Sequence, residues 1–392
     1  MKSIGVITGA RSDYSSVRPL IERIIADPEL ELMLFVTGMH LSAEFGFTVR
    51  VIEADGFSIA ERVDMLLASD TPQGISKSIG VGVLGFSQAY ARTSPDLLVV
   101  IGDRFETLAA VIAALPYNIP VAHIAGGETT EGVIDDPIRH SITKMSHLHF
   151  VAMDEYRDRI IQMGEEPWRV TVTGAPALDT LNGITLFPPD ELELITGVPL
   201  SPAPLLVTFH PLTLDRDETE VSTEALLSAL EELSLPVVFT YPNADTGGRI
   251  IIERIERFVN THSSARVLIN LGARAYASLM NYSAAMLGNS SSGIIEAATF
   301  KLPVVDIGDR QRGRFRGHNI VHAEPNLESI LRAAQTVLAP RFRRDLRNLK
   351  NPYGDGLASQ RIIDIVKKVP LGPRLLRKQF YDIETFHMNG VQ

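Results

Sequence analysis

The sequence predicts two doubly wound α/β domains in tandem, and three observations predict it. Strand-length apolar runs alternate with amphipathic, helix-like stretches from the first residues onward. A proline-rich break at 182–204 interrupts that alternation. A second series of short apolar runs then starts at Leu205. Runs rich in Val, Ile and Leu, spaced by helix-like segments, are the mark of a parallel sheet covered by helices on both faces.

In the first half, strands are expected at Ser3–Thr8, Leu32–Thr37, Leu97–Ile101, Pro120–Ile124, Leu148–Ala152 and Val170–Thr173. Each ends in Gly, Asp or a polar turn. Helices are expected between them, among others at Tyr14–Ala26, Arg104–Ala114 and Pro137–His147. The stretch NGITLFPPDELELITGVPLSP at 182–202 has no clear strand and reads as a linker holding a short helix. The second strand series runs through Leu205–Phe209, Val237–Thr240, Val267–Ile269, Ala284–Leu287 and Val304–Asp306. This organisation divides the chain into residues 1–182 and 183–369, with a segment from about Pro370 to 392 returning to the first domain. Ligands of open parallel sheets sit beyond the carboxyl ends of the strands. Two such domains facing one another would hold a ligand in the cleft between them.

Composition narrows the function. Thirty-seven basic residues against forty-seven acidic ones give a formal charge of −10. Global attraction to nucleic acid or an anionic membrane is not expected, while a local basic pocket for one small anion is allowed. The chain has no cysteine, which excludes disulfides, thiol catalysis and Cys-ligated metals. No apolar run reaches the ~18 residues needed to span a bilayer. The opening MKSIGVITGARSDY reaches Arg11 and Asp13 too early for a secretory signal. A cytoplasmic protein is expected.

Chemistry-bearing residues cluster at the expected strand ends. Thr8-Gly9-Ala10-Arg11-Ser12-Asp13-Tyr14-Ser15 is neither a dinucleotide fingerprint nor a Walker A loop. It sets Arg11 and Ser15 near a helix N-terminus, where an anion could bind or the turn could simply be capped. Gly102-Asp103-Arg104 offers a general base and a phosphate clamp, or an N-cap with its partner. Gly126-Gly127-Glu128 and Asp135-Asp136-Pro137 add three carboxylates, one of the two aspartates being expected to cap a helix. Like-charge repulsion beside Asp103 would raise at least one of their pKa values, as acid–base work requires.

In the second half, His210 ends a strand, and Tyr241–Gly248 forms a polar loop that includes Asn243. The strongest local signal is Gly288-Asn289-Ser290-Ser291-Ser292-Gly293, followed by Glu296 one turn on. Hydroxyls and free N–H groups at a helix start form a phosphate site in its simplest form. Arg310, Arg312, Arg314 and Arg316 then make a local positive patch suited to a di-anionic leaving group, or a solvated loop. His140, His147 and His149 lack a metal-ligand pattern, so neither metal nor cofactor is expected.

Taken in order along nearly the whole chain, these motifs resemble the hydrolysing UDP-N-acetylglucosamine 2-epimerases of sialic and related nonulosonic acid synthesis. The resemblance rests on RSDYS, TGMHLS at Thr37–Ser42, IGDRFE, HIAGGE, IDDPIRHSITK at Ile134–Lys144, FHP, YPNADTGG, GNSSSGIIE and DIGDRQRGR. It implies a GT-B fold of two Rossmann-like domains and a homodimer. By matched position it implies that Arg11, Ser15, His40, Arg104, His210, Asn243, Leu271, Ser290, Ser291, Glu296 and Arg310 contact a UDP-sugar. Asp103 and Asp135 match catalytic carboxylates, and Glu128 and His210 join them as candidate catalytic groups. The implied reaction eliminates UDP through a 2-acetamidoglucal and adds water with inversion at C2.

One position departs from the pattern. Members typical for N-acetylglucosamine carry a glutamate just before the Gly-Gly pair, where this chain has Ala125. Either Glu128 or another carboxylate substitutes, or the substrate is a bulkier 2,4-diacetamido sugar such as UDP- or GDP-linked N,N'-diacetylbacillosamine. The competing readings are a GT-B glycosyltransferase, a non-hydrolysing epimerase and an inactive nucleotide-sugar sensor.

Overall fold

Alternation along the central strands explains how each sheet buries both faces. A computed structural model describes residues 1–67, 71–130, 134–211, 216–241, 248–268 and 271–383. Leu97 and Val99 enter one core with Ile4, Val6, Leu34 and Val36. Leu98 and Val100 enter the other, with Ile7 and Phe35. A strand that is apolar at every position can do this only between two helical layers.

The first unit comprises Met1–Thr180 and the chain from Gly356 onward. Its strands are β1 (Lys2–Thr8), β2 (Leu30–Thr37), β3 (Ile59–Val63), β4 (Leu97–Ile101), β5 (Val121–Ile124), β6 (Leu148–Val151) and β7 (Val170–Val172). They are ordered β3-β2-β1-β4-β5-β6-β7, with every pair parallel. The order reverses between β1 and β4, which is where an open sheet opens a crevice for a ligand.

The second unit is Leu181–Asp355. It holds β8 (Leu205–Thr208), β9 (Val237–Thr240), β10 (Ala265–Leu268), β11 (Ala285–Gly288), β12 (Val304–Ile307) and β13 (Ile320–Ala323). The order is β10-β9-β8-β11-β12-β13, all parallel, with the reversal between β8 and β11. Its two cores take Leu205 and Val207 on one face, and Leu206 and Val238 on the other.

The structure departs from the sequence expectation in two places. Strands β3 and β13 were not anticipated. Both are sheet edges, half exposed rather than apolar throughout, so they lack the signal that marks buried strands. The return to the first unit also begins at Gly356, ahead of Pro370. The helix Ala358–Lys368, expected to close the second domain, packs Ile362, Ile363 and Val366 into the first core. Its amphipathic face would suit either sheet, and two polar anchors decide the matter. Asp179 accepts hydrogen bonds from the Ala358 and Ser359 amides at 2.9 and 2.5 Å, capping the start. Lys2 Nζ donates to the carbonyls of Val366, Lys367 and Val369 at 2.7, 3.1 and 3.0 Å, capping the end. The expected linker helix lies at Pro189–Thr196.

Candidate functional site

At the end of β1 the chain turns through Thr8-Gly9-Ala10 into the helix Arg11–Ala26, whose N-cap, Ala10, has no side-chain acceptor. Asp13 takes that role, its Oδ2 accepting from the Gly9 and Ala10 amides at 3.2 and 3.1 Å. The same oxygen lies 3.9 Å from Arg104 Nε. Arg104 Nη2 donates to Glu106 Oε1 at 2.7 Å. Glu106 is fully buried, and its Oε2 has no hydrogen-bond partner among the described residues. Burial pushes the Asp13 carboxyl up to about 6, with Arg104 opposing and Glu106 reinforcing the rise. Space for Glu106 comes from Gly38, where a Cβ would stand 2.7 Å from Oε1 and where φ is +59°.

Arg11 and Ser15, expected at the ligand, are both exposed on this first helix. The Ser15 hydroxyl donates back to the Ser12 carbonyl at 2.8 Å. His40 is buried, with Nε2 3.0 Å from Thr8 Oγ1 and Nδ1 2.7 Å from Thr48 Oγ1. Desolvation pushes its imidazole down to about 4, so it is neutral near pH 7. Both of its ring nitrogens are thus engaged within the domain.

The ends of β4 and β5 bring the carboxylates together. Asp103 accepts a hydrogen bond from Arg139 Nη2, a residue 36 positions away on the helix Asp135–Met145. Arg139 is buried, and it also donates to the Glu128 carbonyl and Thr130 Oγ1, both at 2.9 Å. One guanidinium therefore ties the Asp103 loop, the Glu128 loop and the helix into one unit. Of the two aspartates, Asp136 is the structural one: it accepts from the Thr130 amide at 2.7 Å and lies 3.6 Å from Arg139 Nη1. Asp135, the first residue of the same helix, is half-buried. Burial raises its pKa, and the Asp103 charge raises it further while Arg139 and Arg104 oppose. A carboxyl raised by burial and by a neighbouring carboxylate is suited to proton exchange. Glu128, held by its backbone carbonyl to Arg139, is buried. Ala125 stands at φ +63°, a left-handed conformation unusual for a residue with a Cβ.

In the second domain the site edge is built from amides and hydroxyls. Asn289 accepts from the His210 amide at 2.7 Å and donates to the His210 carbonyl at 2.9 Å, closing a ring between the ends of β8 and β11. Gly288 permits this approach: at φ +141°, a Cβ would stand 2.0 Å from the Thr208 carbonyl oxygen. Burial and the nearby Arg310 push the His210 imidazole down to about 3. Ser290 caps the helix Ser291–Ile295, accepting from the Ser292 amide at 3.3 Å. Ser292 Oγ donates to Glu296 Oε2 and accepts from Tyr276 OH at 3.0 Å. Burial raises the Glu296 pKa against that hydrogen bond. Leu271 is the N-cap of the helix Gly272–Tyr282. Asn243 lies outside the described residues.

The arginine loop is less uniform than its sequence suggests. Arg316 Nε and Nη2 each lie 2.8 Å from buried Asp306 Oδ2. Arg312 sits 3.7 Å from exposed Asp309. Arg310 donates to the Asn289 carbonyl at 3.0 Å, joined there by Gln311 at 2.9 Å. Arg310 is thereby tied directly to the Ser-rich turn. Sequence reasoning did not single out Asp13, Glu106, Asn289 or Arg139. Arg139 stood inside a quoted motif, and its spacing of one helical turn from Asp135 was the available signal.

Comparison with known proteins settles the family. Residues 22–367 match the family described as UDP-N-acetylglucosamine 2-epimerase. The chain belongs to that family. This 2-epimerase-family enzyme is 36% identical over 378 residues to a Legionella pneumophila UDP-N,N'-diacetylbacillosamine 2-epimerase (hydrolyzing), covering 96% of this chain and 99% of the relative. It is 38% identical over 384 residues to the Campylobacter jejuni GDP/UDP-N,N'-diacetylbacillosamine 2-epimerase (hydrolyzing), covering 97% and 99%. Its fold matches that of the Neisseria meningitidis UDP-GlcNAc 2-epimerase, solved bound to UDP-GlcNAc, at a TM-score of 0.81 and 17% identity over 94% of this chain and all of that one. The two parallel-sheet domains are those of the GT-B fold, and the family read from the motifs is borne out.

Proposed function

We propose that this enzyme hydrolyses a UDP-linked 2-acetamido sugar with inversion at C2, releasing UDP and a free sugar of manno configuration. The observation that carries the reading is the pair of carboxylates Asp103 and Asp135 beside Arg139, whose guanidinium also holds the Glu128 loop by its backbone carbonyl. One carboxylate removes the C2 proton as the C1–O bond breaks and UDP departs, leaving a 2-acetamidoglucal. Water then supplies hydroxide to C1 while a protonated carboxyl returns a proton to the other face of C2. Arg310 and the hydroxyls of Ser290 and Ser291 stabilise the departing diphosphate, where charge develops. Arg11, Ser15, His40, Arg104, His210, Leu271 and Glu296 complete the nucleotide-sugar contacts in this reading.

Ala125 favours a 2,4-diacetamido-6-deoxy sugar over N-acetylglucosamine, because a methyl group replaces a carboxyethyl chain beside the Gly-Gly turn. The two relatives above, both named for that sugar, support this choice. A cytoplasmic homodimer also belongs to the proposal. Exposed Val81 and Leu84 on the helix Pro72–Thr93, with exposed Tyr117 bonded to Ser87 of that helix, offer an apolar face for a second copy.

The test is proton NMR in D2O with UDP-N-acetylglucosamine and UDP-N,N'-diacetylbacillosamine in parallel. The expected result is free manno sugar deuterated at C2, plus UDP, faster from the diacetamido substrate. An epimer still bearing UDP would instead establish a non-hydrolysing epimerase. Turnover only with an added acceptor would establish a transferase. Ala125→Glu is expected to shift preference toward N-acetylglucosamine, and an unchanged ratio of kcat/KM values would remove the specificity argument.

A further inference from the structure

His123 is a histidine with no route to solvent. It lies on β5 at 0% exposure, opposite His149 of β6 in the parallel register. Its Nε2 stands 2.8 Å from the Gly102 carbonyl oxygen, and its Nδ1 stands 3.2 Å from Thr143 Oγ1. The roles follow from chemistry. A carbonyl only accepts, so Nε2 carries the proton and donates. A neutral ring then accepts at Nδ1, so the Thr143 hydroxyl donates. Burial, which pushes this imidazole down to about 3, keeps the ring neutral.

The two partners are what give the arrangement meaning. Gly102 is the residue immediately before Asp103, and it turns the chain at φ +74°. Thr143, fully buried, lies on the helix Asp135–Met145, which begins with Asp135 and carries Arg139. His123 thus bridges the two elements that carry Asp103 and Asp135, and Arg139 bridges them a second time through Asp103. A second observation points to the same contact. Gly126 has an ordinary backbone conformation, yet a Cβ there would stand 2.9 Å from Thr143 Oγ1 and 3.0 Å from His123 Nδ1. The first glycine of the Gly-Gly pair is the space this hydrogen bond needs.

We infer that His123 is a positioning residue for the epimerase reaction, fixing the Asp103 loop against the Asp135 helix through the Gly102 carbonyl and the Thr143 hydroxyl. The inference rests on the proposed catalytic role of Asp103. It assigns His123 no proton transfer and no contact with substrate.

Thr143→Val tests it with little change of shape, and Gly126→Ala crowds the same bond from the other side. Each is expected to lower kcat about tenfold with KM changed less than twofold, and to leave the pH profile of kcat/KM in place, since no titrating group is removed. His123→Gln, which can still donate to Gly102 and accept from Thr143, is expected to recover more activity than His123→Leu. In an Asp103→Asn background, Thr143→Val is expected to add little further loss, because both act through one carboxylate. Wild-type kcat in Thr143→Val and Gly126→Ala, with Asp103→Asn strongly impaired, overturns the inference and leaves the role of Asp103 standing. Wild-type kcat in Asp103→Asn overturns the role of Asp103, and the inference falls with it. A lowered Tm with unchanged kcat per folded enzyme would show a structural role only.

Discussion

The two site edges solve different problems with different materials. In the first domain, the ends of β1, β4 and β5 are crowded with ionisable groups: Asp13, Asp103, Arg104, Glu106, Glu128, Asp135 and Arg139. Several are buried and bound to one another. In the second domain, the ends of β8 and β11 are joined by an amide ring between Asn289 and His210 and finished with serine hydroxyls. Clustered carboxylates have shifted and coupled proton affinities, which acid–base chemistry needs. Amides and hydroxyls have fixed dipoles and no titration near neutrality, which holding an anion needs. In the proposed function, the contrast suits the first domain to proton transfer and the second to holding the departing diphosphate.

The sharpest way to break this comparison is to separate kcat from KM. Asp103→Asn is expected to lower kcat by about 10²–10⁴ with little change in KM, as for a lost general base. Steady-state release of UDP measures both, and a change confined to KM would reverse the assignment for this domain.

The arginine loop sharpens the second half of the comparison. Arg316→Ala strands buried Asp306 without its partner and is expected to destabilise by about 1–3 kcal/mol. Arg312→Ala, at an exposed residue whose pair with Asp309 is also exposed, is expected to stay within about 0.5 kcal/mol. Urea denaturation of the two variants side by side checks the difference, and equal losses would mean the loop behaves as one patch.

Asp13 gives a pH test. Its folded pKa of about 6 lies above the unfolded value of about 4. The folded state therefore binds the proton more tightly. The stability Asp13 contributes is full below about pH 4 and is lost as pH rises through about 6. Asp13→Asn cannot suffer that loss, so its stability relative to wild type is expected to rise by about 2–3 kcal/mol between pH 4 and pH 7. Thermal unfolding across that range reads the change, and a flat difference would show that folding does not raise the Asp13 pKa.

The smallest expected effect on catalysis is at the serine turn. Ser290→Ala removes the cap of the helix Ser291–Ile295 and one hydroxyl from the proposed phosphate site. KM is expected to rise about 5–10-fold, corresponding to about 1 kcal/mol, with kcat nearly unchanged. A larger fall in kcat than rise in KM would place transition-state work in this domain as well.

Much of this was legible from residues alone. Central strands such as Leu97–Ile101 and Leu205–Thr208 announce themselves because burial on both faces demands an unbroken apolar run. The site motifs announce themselves because polar residues interrupt those runs at the strand ends, where parallel sheets place ligands. The half-exposed edges β3 and β13 were not legible, since solvent removes the constraint on one face. Nor was Arg139 as the organiser of Asp103, Glu128 and Thr130, because those contacts join segments that only the sheet order brings together.

The sequence by itself therefore determined the two α/β domains, the family and the loops that carry the chemistry. Local periodicity and the glycines at strand ends are properties of short segments and need no partner. Tertiary structure alone decided which charges are consumed internally, as with Arg316 on Asp306 and Asp136 on Thr130. It also decided that the helix Ala358–Lys368 belongs to the first core. It fixed which nitrogen of His123 carries its proton, through the carbonyl it meets. The physical reason is common to all three. Burial and hydrogen-bond partnership are properties of pairs far apart in the chain, and an amphipathic helix, an arginine or a histidine is compatible with many partners until packing selects one.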